Sequence, residues 1–462
     1  MPRSRMADSA GNARQVLSEG NSHSMLSSRA RMAIWIALYL ACILAPLFAL
    51  LAGSLPRARD FWTEFSIALG YSGLAIMGLQ FSMTARFRFV NEPWGEDVIY
   101  YFHRKISLIA VALVIAHPLI LFAVRPELLA LLNFINAPWR ARFAALSVCS
   151  LITMVVMAIW RRNLKIRYET WHATHLLLAV IAVTAGIAHM VGWGLYLVSP
   201  WKRALWIGMA ITWIGVFFYI RIVKPLYMLR RPYRIASVRE ERGDTLTLVM
   251  KPDGHAGFHF TPGQFAWLTV GRTPFRIAGH PFSFSSSAVK AGEVEMSIRN
   301  LGDFTSTLRS VRVGERVYLE GPYGSFTVGH PADMHVLIAG GIGITPMMSM
   351  IRTFADSGDD RPIILLYGNK DWESVTFREE LEALKARLDM TIVHVLVNPP
   401  AGWTGEQGYI TAEILKRHLA PPYSAHEYFI CGPGVMMDSI EEALGELHIP
   451  ISKYHSERYS FV

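Results

Sequence analysis

The chain changes hydrophobic rhythm at about Lys224. From Arg31 to that point, long apolar runs alternate with short clusters of charge. The runs lie between Arg31 and Arg57, Glu64 and Arg86, Lys105 and Arg125, Arg142 and Arg161, Glu169 and Lys202, and Arg203 and Arg221. Most hold the ~17–25 residues that a membrane-spanning helix needs, so six spans are predicted. The last two meet at a tight turn around Pro200 and Trp201. After Lys224 the apolar runs shorten to strand length and are punctuated by Gly and Pro, as in "DTLTLVM", "GQFAWLTV" and "EVEMSIRN". Their alternation predicts a small antiparallel barrel up to about Val328. Beyond it, "MHVLIAGG", "RPIILLYG", "MTIVHVLV" and "EYFICGPG" are four short strands interleaved with helical stretches, which predicts a parallel α/β domain. The expected division is a tail over 1–30, a six-helix membrane domain over 31–224, a β-barrel over 225–330 and an α/β domain over 331–462.

Composition agrees with a membrane half. The 462 residues are 52% hydrophobic, enough for two or three domains, and mean hydropathy is +0.28. The net charge of +9 falls largely beside the apolar runs, where a topology signal explains it better than a nucleic-acid footprint. Cys42, Cys149 and Cys431 are scattered, which excludes a disulfide framework or a thiolate metal motif. The first ~30 residues have no apolar core followed by a cleavage site, so they read as a disordered cytosolic tail and not as a cleaved signal. Counting Lys and Arg along alternate connections gives 18 on the side of the two termini and 7 on the other. That bias puts both termini in the cytosol.

Four histidines carry the chemistry of the membrane half. His103 and His117 lie 14 residues apart in one run, and His175 and His189 lie 14 apart in another. On a helix each pair is separated by roughly 21 Å and stays within ~40° of one face. The two helices run in the same direction, so His103 and His175 share the cytosolic level and His117 and His189 the outer level. A polar residue inside a membrane helix is costly and is either functional or satisfied by a neighbour. Two matched pairs favour metal ligation, with bis-histidine ligation of two haems that leaves no open coordination position. His172 shares a face with His175 and reads as a donor beside it or an interfacial residue, with an exchange of the two as the other arrangement. Arg104 and Lys105 beside His103 read either as partners for haem propionates or as ordinary positive-inside anchors.

In the soluble half, "HVLIAGGIGITPMMSMI" runs a strand into Gly340, Gly341 and Gly343 and opens a helix at Thr345 and Pro346. Glycines let the backbone approach a pyrophosphate, and a helix N-terminus offers it free N–H groups. A tight strand-to-helix turn is the plainer account of such a motif, and its setting in an α/β domain favours nucleotide binding.

Together these segments resemble the ferric reductase and NADPH oxidase superfamily over about residues 31 to 462. In that family a six-helix dihaem domain is fused to a reductase module that binds FAD and NADPH. The resemblance rests on "HPFS" (His280, Pro281, Phe282, Ser283) and on "IRNLGDFT". It rests also on "TPGQF", with Gln264 and Phe265, on "EGPYGS", "GGIGITP" and "CGPG", and on the ending "SERYSFV". It implies that the HPFS stretch, Gln264 and Phe265 contact FAD, with Arg299, Gly302 and Thr305 near its phosphates. It implies that Gly340, Gly341, Gly343, Thr345, Pro346, Cys431, Gly432 and Pro433 serve the nicotinamide dinucleotide. Glu457, Tyr459 and Phe461 resemble the acidic and aromatic tail beside the flavin ring, which makes His280, Cys431, Glu457 and Phe461 the expected catalytic set. Lys370 stands where the family often has an NADPH-selecting Arg; Lys meets a 2′-phosphate as a point charge, and NADPH is preferred to NADH. Leu121 replaces a further histidine of the superoxide-forming animal members.

The expected function is transmembrane electron transfer. Electrons pass from cytosolic NAD(P)H through FAD and two haem b, held by His103/His175 and His117/His189, to a small acceptor outside. That acceptor is oxygen, giving superoxide, or a ferric chelate. The alternative is an electron-supply subunit that reduces a partner protein or a quinone. The expected setting is a plasma (inner) membrane, with lipid and the small acceptor as partners, no nucleic acid, and oligomerisation left open.

Overall fold

The computed structural model describes residues 28–53, 57, 59–87, 90, 94–275, 279–290, 292–328 and 332–458. Most of the expected tail, together with Tyr459 and Phe461, lies outside the described residues. Six long apolar helices come first: α1 (Ser28–Leu51), α2 (Phe61–Met83), α3 (Glu96–Val124), α4 (Trp139–Ile159), α5 (Tyr168–Trp193) and α6 (Pro200–Leu229). All six are long and apolar enough to cross a membrane. Phe48, Leu119, Leu177 and Ile211 are exposed on the protein's surface, as side chains facing lipid tails must be.

Helix α2 is the most buried of the six, and small residues explain why. A Cβ on Gly73 would come within 2.6 Å of Val114 on α3, and one on Gly78 within 2.2 Å of the Trp213 ring on α6. Without a hydrophobic drive between helices in lipid, such close backbone approach is the main source of packing energy. Helices α4 and α5 pair likewise, with the buried Ser147 hydroxyl donating to the Ala182 carbonyl (2.7 Å). Tertiary approach, and not periodicity, sets these positions.

The next sheet is antiparallel and curls into a barrel, in the order β4-β3-β6-β1-β2-β5. Its strands are β1 (Tyr233–Glu241), β2 (Thr245–Pro252), β3 (Phe265–Val270), β4 (His280–Ser283), β5 (Val294–Arg299) and β6 (Arg316–Tyr323). Leu248, Met250, Ala266, Phe284 and Met296 fill its interior. Strand β2 departs from the alternation expected of "DTLTLVM": residues 245–250 are all buried. One face lines the barrel core, and the other is covered, so its hydroxyls pair internally. Thr247 and Ser297 are 2.7 Å apart, and Ser285 and Ser297 2.9 Å.

The last sheet is parallel, in the order β10-β9-β8-β7-β11-β12. It contains β7 (His335–Gly340), β8 (Ile363–Asn369), β9 (Met390–Leu396), β10 (Glu406–Gln407), β11 (Glu427–Cys431) and β12 (Tyr454–Glu457). Four of these match the expected strands. The two edge strands, β10 and β12, are short and polar and gave no hydrophobic signal. Helix α7 (Asp303–Thr307) follows β5, and α8 (Ile344–Ser357) follows β7. Helix α8 seats against the barrel, where the Ser349 hydroxyl donates to the Ser286 carbonyl (2.7 Å) and the Ala288 N–H donates to Thr353 (3.0 Å).

The barrel meets the membrane bundle through a buried ionic cluster. Glu320 on β6 lies 3.1 Å from Arg86 and 2.7 Å from Lys224, and accepts from the Tyr323 hydroxyl (2.9 Å). Lys224 also donates to the Ala85 carbonyl (2.8 Å). The Arg86 guanidinium lies 4.1 Å over the Trp267 ring, and the Trp267 indole donates to Glu96 (3.0 Å). Burial pushes the Glu320 carboxyl pKa up, but Arg86 and Lys224 outweigh it and bring it to about 2. The group is therefore ionised at any physiological pH. Removing one partner of a buried ion pair strands the other charge, at a cost of about 3–5 kcal/mol. Glu320→Ala should lower the thermal unfolding midpoint of the detergent-solubilised protein accordingly. Replacing Glu320, Arg86 and Lys224 together with Leu should recover most of that loss, because no charge is then left unpaired.

Candidate redox site

Helices α3 and α5 bring the four histidines together as two stacked pairs. The His103 and His175 ring centroids are 6.5 Å apart, and those of His117 and His189 6.3 Å. A metal bound by imidazole nitrogens at ~2.0 Å on opposite sides holds two such centroids roughly 6.3 Å apart. Among the described residues no cluster of three or more His, Cys, Asp or Glu forms a metal site. Two imidazoles alone do not close a coordination shell, whereas a macrocycle supplying four nitrogens does. The donor set and the spacing therefore fit a haem at each level. The His172 ring stacks on Tyr168 at 5.7 Å.

The two levels are built differently. The His117 Nδ1 donates to the Ser66 carbonyl (2.9 Å) and the His189 Nδ1 to the Arg140 carbonyl (2.9 Å). A carbonyl only accepts, so in both rings the proton sits on Nδ1 and the Nε2 lone pair is left for a metal. Ser66 reinforces this by donating its hydroxyl to the His117 carbonyl (2.7 Å), and His117 lies flat on Gly70, where a Cβ would approach within 3.2 Å. At the inner level the Nδ1 atoms of His103 and His175 are buried with no hydrogen-bond partner.

Below the inner pair a cleft of about 520 Å³ opens between barrel and bundle. His280, Pro281, Phe282 and Ser283 from β4, Arg299 from β5, and Gly302 and Thr305 at α7 line its barrel side, with Thr345 of α8 beside them. Its other wall, absent from the sequence expectation, is the 161–169 connection of the bundle, including Tyr168. Gln264 and Phe265 stand outside this lining. Gln264 accepts from the Thr261 N–H (2.8 Å) and donates to the Gly324 carbonyl (3.2 Å), while Phe265 packs on Tyr323. Gln264 thereby ties the turn before β3 to the end of β6. Burial lowers the His280 pKa to about 4, against a smaller opposing pull from Glu169. Its ring is neutral at pH 7 and stacks on Phe304 with centroids 3.7 Å apart.

The two glycine-rich turns of the last domain lie back to back. A Cβ on Gly343 would sit 2.2 Å from the Cys431 carbonyl, and one on Gly340 2.3 Å from Met436 and 2.9 Å from Pro433. Gly432 meets Gly340 in the same contact. Only Gly341 of these has a left-handed backbone, with φ +52°. Thr345 donates to the Ile342 carbonyl (2.9 Å), and Pro346 is buried in the first turn of α8. Lys370 is exposed just past the end of β8.

Cys431 and Glu457 meet at the paired ends of β11 and β12, where the Cys431 thiol donates to the Glu457 carbonyl (3.4 Å). Burial, and then the carboxylates of Asp97 and Glu96, push the Glu457 carboxyl well above its ordinary value of 4.5. It lies beside Gly324, where a Cβ would come 3.2 Å from its Oε1. Phe461, expected beside it, lies outside the described residues.

A membrane bundle with two imidazole pairs, joined to a reductase module with a cleft and a glycine-rich nucleotide turn, defines a multi-pass membrane oxidoreductase. The chain matches three families in sequence order. They are the ferric reductase like transmembrane component over residues 69–187, the FAD-binding domain over 234–327 and the oxidoreductase NAD-binding domain over 337–442. That order matches the architecture of the ferric reductase and NADPH oxidase superfamily. FAD- and NAD(P)H-binding domains are thus present.

Among curated proteins it is 28% identical over 241 residues to the glycine betaine monooxygenase reductase subunit of Pseudomonas aeruginosa, covering 50% of this chain and 64% of that one. It is 32% identical over 190 residues to NADH-cytochrome b5 reductase 1 of Aspergillus clavatus, covering 38% and 62%. The chain thus spans less than two thirds of these relatives' length. Among solved structures, the FAD/NAD-binding domain of nitric oxide dioxygenase from Vibrio cholerae aligns at 24% identity with a TM-score of 0.45, covering 49% of this chain and 98% of that one.

Glu457 provides a pH signature. Its folded pKa lies above its unfolded value, so the folded state binds more protons and stability falls as pH rises from about 4.5. Glu457→Gln should flatten that decline when unfolding midpoints are measured across pH, and an unchanged slope would assign the decline to other groups.

Proposed function

We propose that the protein carries electrons from NADPH, or NADH, on the cytosolic side of a plasma (inner) membrane to a small acceptor on the outer side. The acceptor is oxygen or a ferric chelate. The observation that carries this reading is the pair of imidazole clamps at 6.5 and 6.3 Å on two parallel helices, with the reductase cleft against the inner one. Bound FAD would turn two-electron hydride chemistry into single electrons, and two haem b groups would relay them.

The chain's own residues supply positions, charges and protons. His103 and His175 would hold one haem and His117 and His189 the other, with the outer tautomers set by the Ser66 and Arg140 carbonyls. His280, Pro281, Phe282 and Ser283 would flank the flavin, with Arg299, Gly302 and Thr305 beside its phosphates. The backbone at Gly340, Gly341, Gly343 and Gly432, with the start of α8 at Thr345 and Pro346, would receive the dinucleotide, and Lys370 its 2′-phosphate. Glu457, whose carboxyl pKa is raised by burial, and Cys431 would frame the hydride-transfer position together with Phe461. The excess of Lys and Arg on the terminal side supports cytosolic termini.

A second reading, electron supply to a partner protein, is favoured by one observation. The relative from Pseudomonas aeruginosa is by its name a reductase subunit of a monooxygenase.

One assay separates these. Purified, FAD-loaded protein given NADPH should show haem reduction, together with superoxide dismutase-sensitive reduction of cytochrome c or ferrous-chelator colour. Haem that stays oxidised would sink the relay, and reduced haem with neither product would favour the partner protein. His117→Leu should abolish the outer haem and leave flavin reduction by NADPH intact, read as loss of one of two haems by pyridine haemochrome; loss of flavin reduction as well would contradict the layered scheme. Lys370→Ala should raise the KM for NADPH by roughly tenfold and leave that for NADH unchanged.

A further inference from the structure

An unbroken run of aromatic rings leads from the flavin cleft to the inner imidazole pair. Tyr168 lines the cleft, and its ring centroid is 5.6 Å from that of His280. Tyr168 meets Trp171 at 5.8 Å, and Trp171 meets His175 at 5.4 Å. Every spacing lies within the ~4.5–7 Å over which aromatic pairs interact. The local cause is the start of α5. Tyr168, Trp171 and His175 follow one another at intervals of three and four, which stacks them on one face of the helix.

We propose that Tyr168 and Trp171 form the conduit through which electrons leave the flavin cleft for the inner haem position. This rests on the function proposed above and assigns the cleft-to-haem passage to two residues of the membrane domain. Per electron, the reduced flavin is the reductant and the ferric haem iron the oxidant, and the flavin's proton goes to the cytosolic water. The rings couple donor and acceptor and are themselves neither oxidised nor reduced.

Two observations separate this from the bland account of Tyr and Trp at a helix end, an interfacial belt. A belt residue keeps its polar atom at the water boundary, yet the Trp171 indole nitrogen is buried with no hydrogen-bond partner. A belt also tolerates any position around the helix, whereas both rings here lie under one guanidinium, Arg161, at 5.6 and 5.4 Å, which holds them in register. The tryptophan on the barrel side of the cleft leads elsewhere. Trp267 turns to Glu96 and Arg86, at 3.0 and 4.1 Å, and has no ring contact with a histidine among the described residues.

The test uses the full-length protein loaded with FAD and haem, mixed anaerobically with NADPH while flavin and haem absorbance are followed together. Trp171→Leu and Trp171→Met should each slow haem reduction by roughly tenfold. Flavin reduction, the haem spectrum and the haem midpoint potentials should stay as in the unmodified protein. Trp171→Phe, which keeps a ring in place, should retain most of the rate. Normal haem reduction in either aliphatic variant would overturn the conduit, as would a Phe variant as slow as Leu. If Leu disturbs haem incorporation, the decision passes to Met, whose flexible chain refills the space. Failure of the unmodified protein to reduce its haem would instead overturn the relay itself, so the two failures are distinguishable.

Discussion

A single carboxylate between two cations joins the two halves of this molecule. Glu320 reaches from the barrel to Arg86 and Lys224, which lie at the barrel-facing ends of the membrane helices. Charges taken out of water are tolerated only when paired, so this cluster closes in one arrangement. The Trp267 ring is drawn into it by the Arg86 guanidinium and by Glu96. The cleft is walled by the 161–169 connection on one side and by β4, β5 and α7 on the other, and it exists only because the halves are held together.

The same junction creates the unusual state of Glu457. Its carboxyl is raised by burial and by Asp97 and Glu96, two acids at the start of α3. Those acids are themselves favourable there, at the positive end of a helix. A domain boundary thus lets a membrane helix tune a group at the far edge of the nucleotide domain. Within the bundle the logic is steric. Gly70, Gly73 and Gly78 bring α2 against a histidine ring, a valine and a tryptophan in turn. The first of these contacts lets Ser66 reach His117 and fix its tautomer. The inner histidines have no such support from the backbone, so the two levels differ chemically although their spacing in the chain is identical.

Some of this was legible in the residues alone, and the boundary is informative. The paired histidines were legible because a helix converts a 14-residue interval into a fixed rise and angle without reference to anything else. The glycine-rich strand-to-helix turn was legible for the same local reason, although its glycines serve close packing of two turns as much as any ligand. Strand β2 misled, because its hydroxyls alternate as if solvated while Thr247 is buried against Glu241 and Ser297 of the neighbouring strands. Tyr168 and Trp171 stood in plain view at intervals of three and four before His175. Nothing local distinguishes such a stripe from an interfacial belt until the cleft appears beside it.

The sequence by itself determined the six spans, the order of the domains, the two histidine levels and the class of chemistry. Each of these rests on hydrophobic length, charge bias or helical spacing, which act within one segment. Only the tertiary structure decided that the His175 ring meets that of His103, that a bundle connection walls the cleft, and that Gln264 and Phe265 stand outside its lining. Those outcomes depend on contacts between segments far apart in the chain, made by buried ion pairs and close-packed glycines that leave no periodic trace. The feature that began as a spacing of 14 residues thereby becomes two facing imidazole pairs, one of them towards the reductase module.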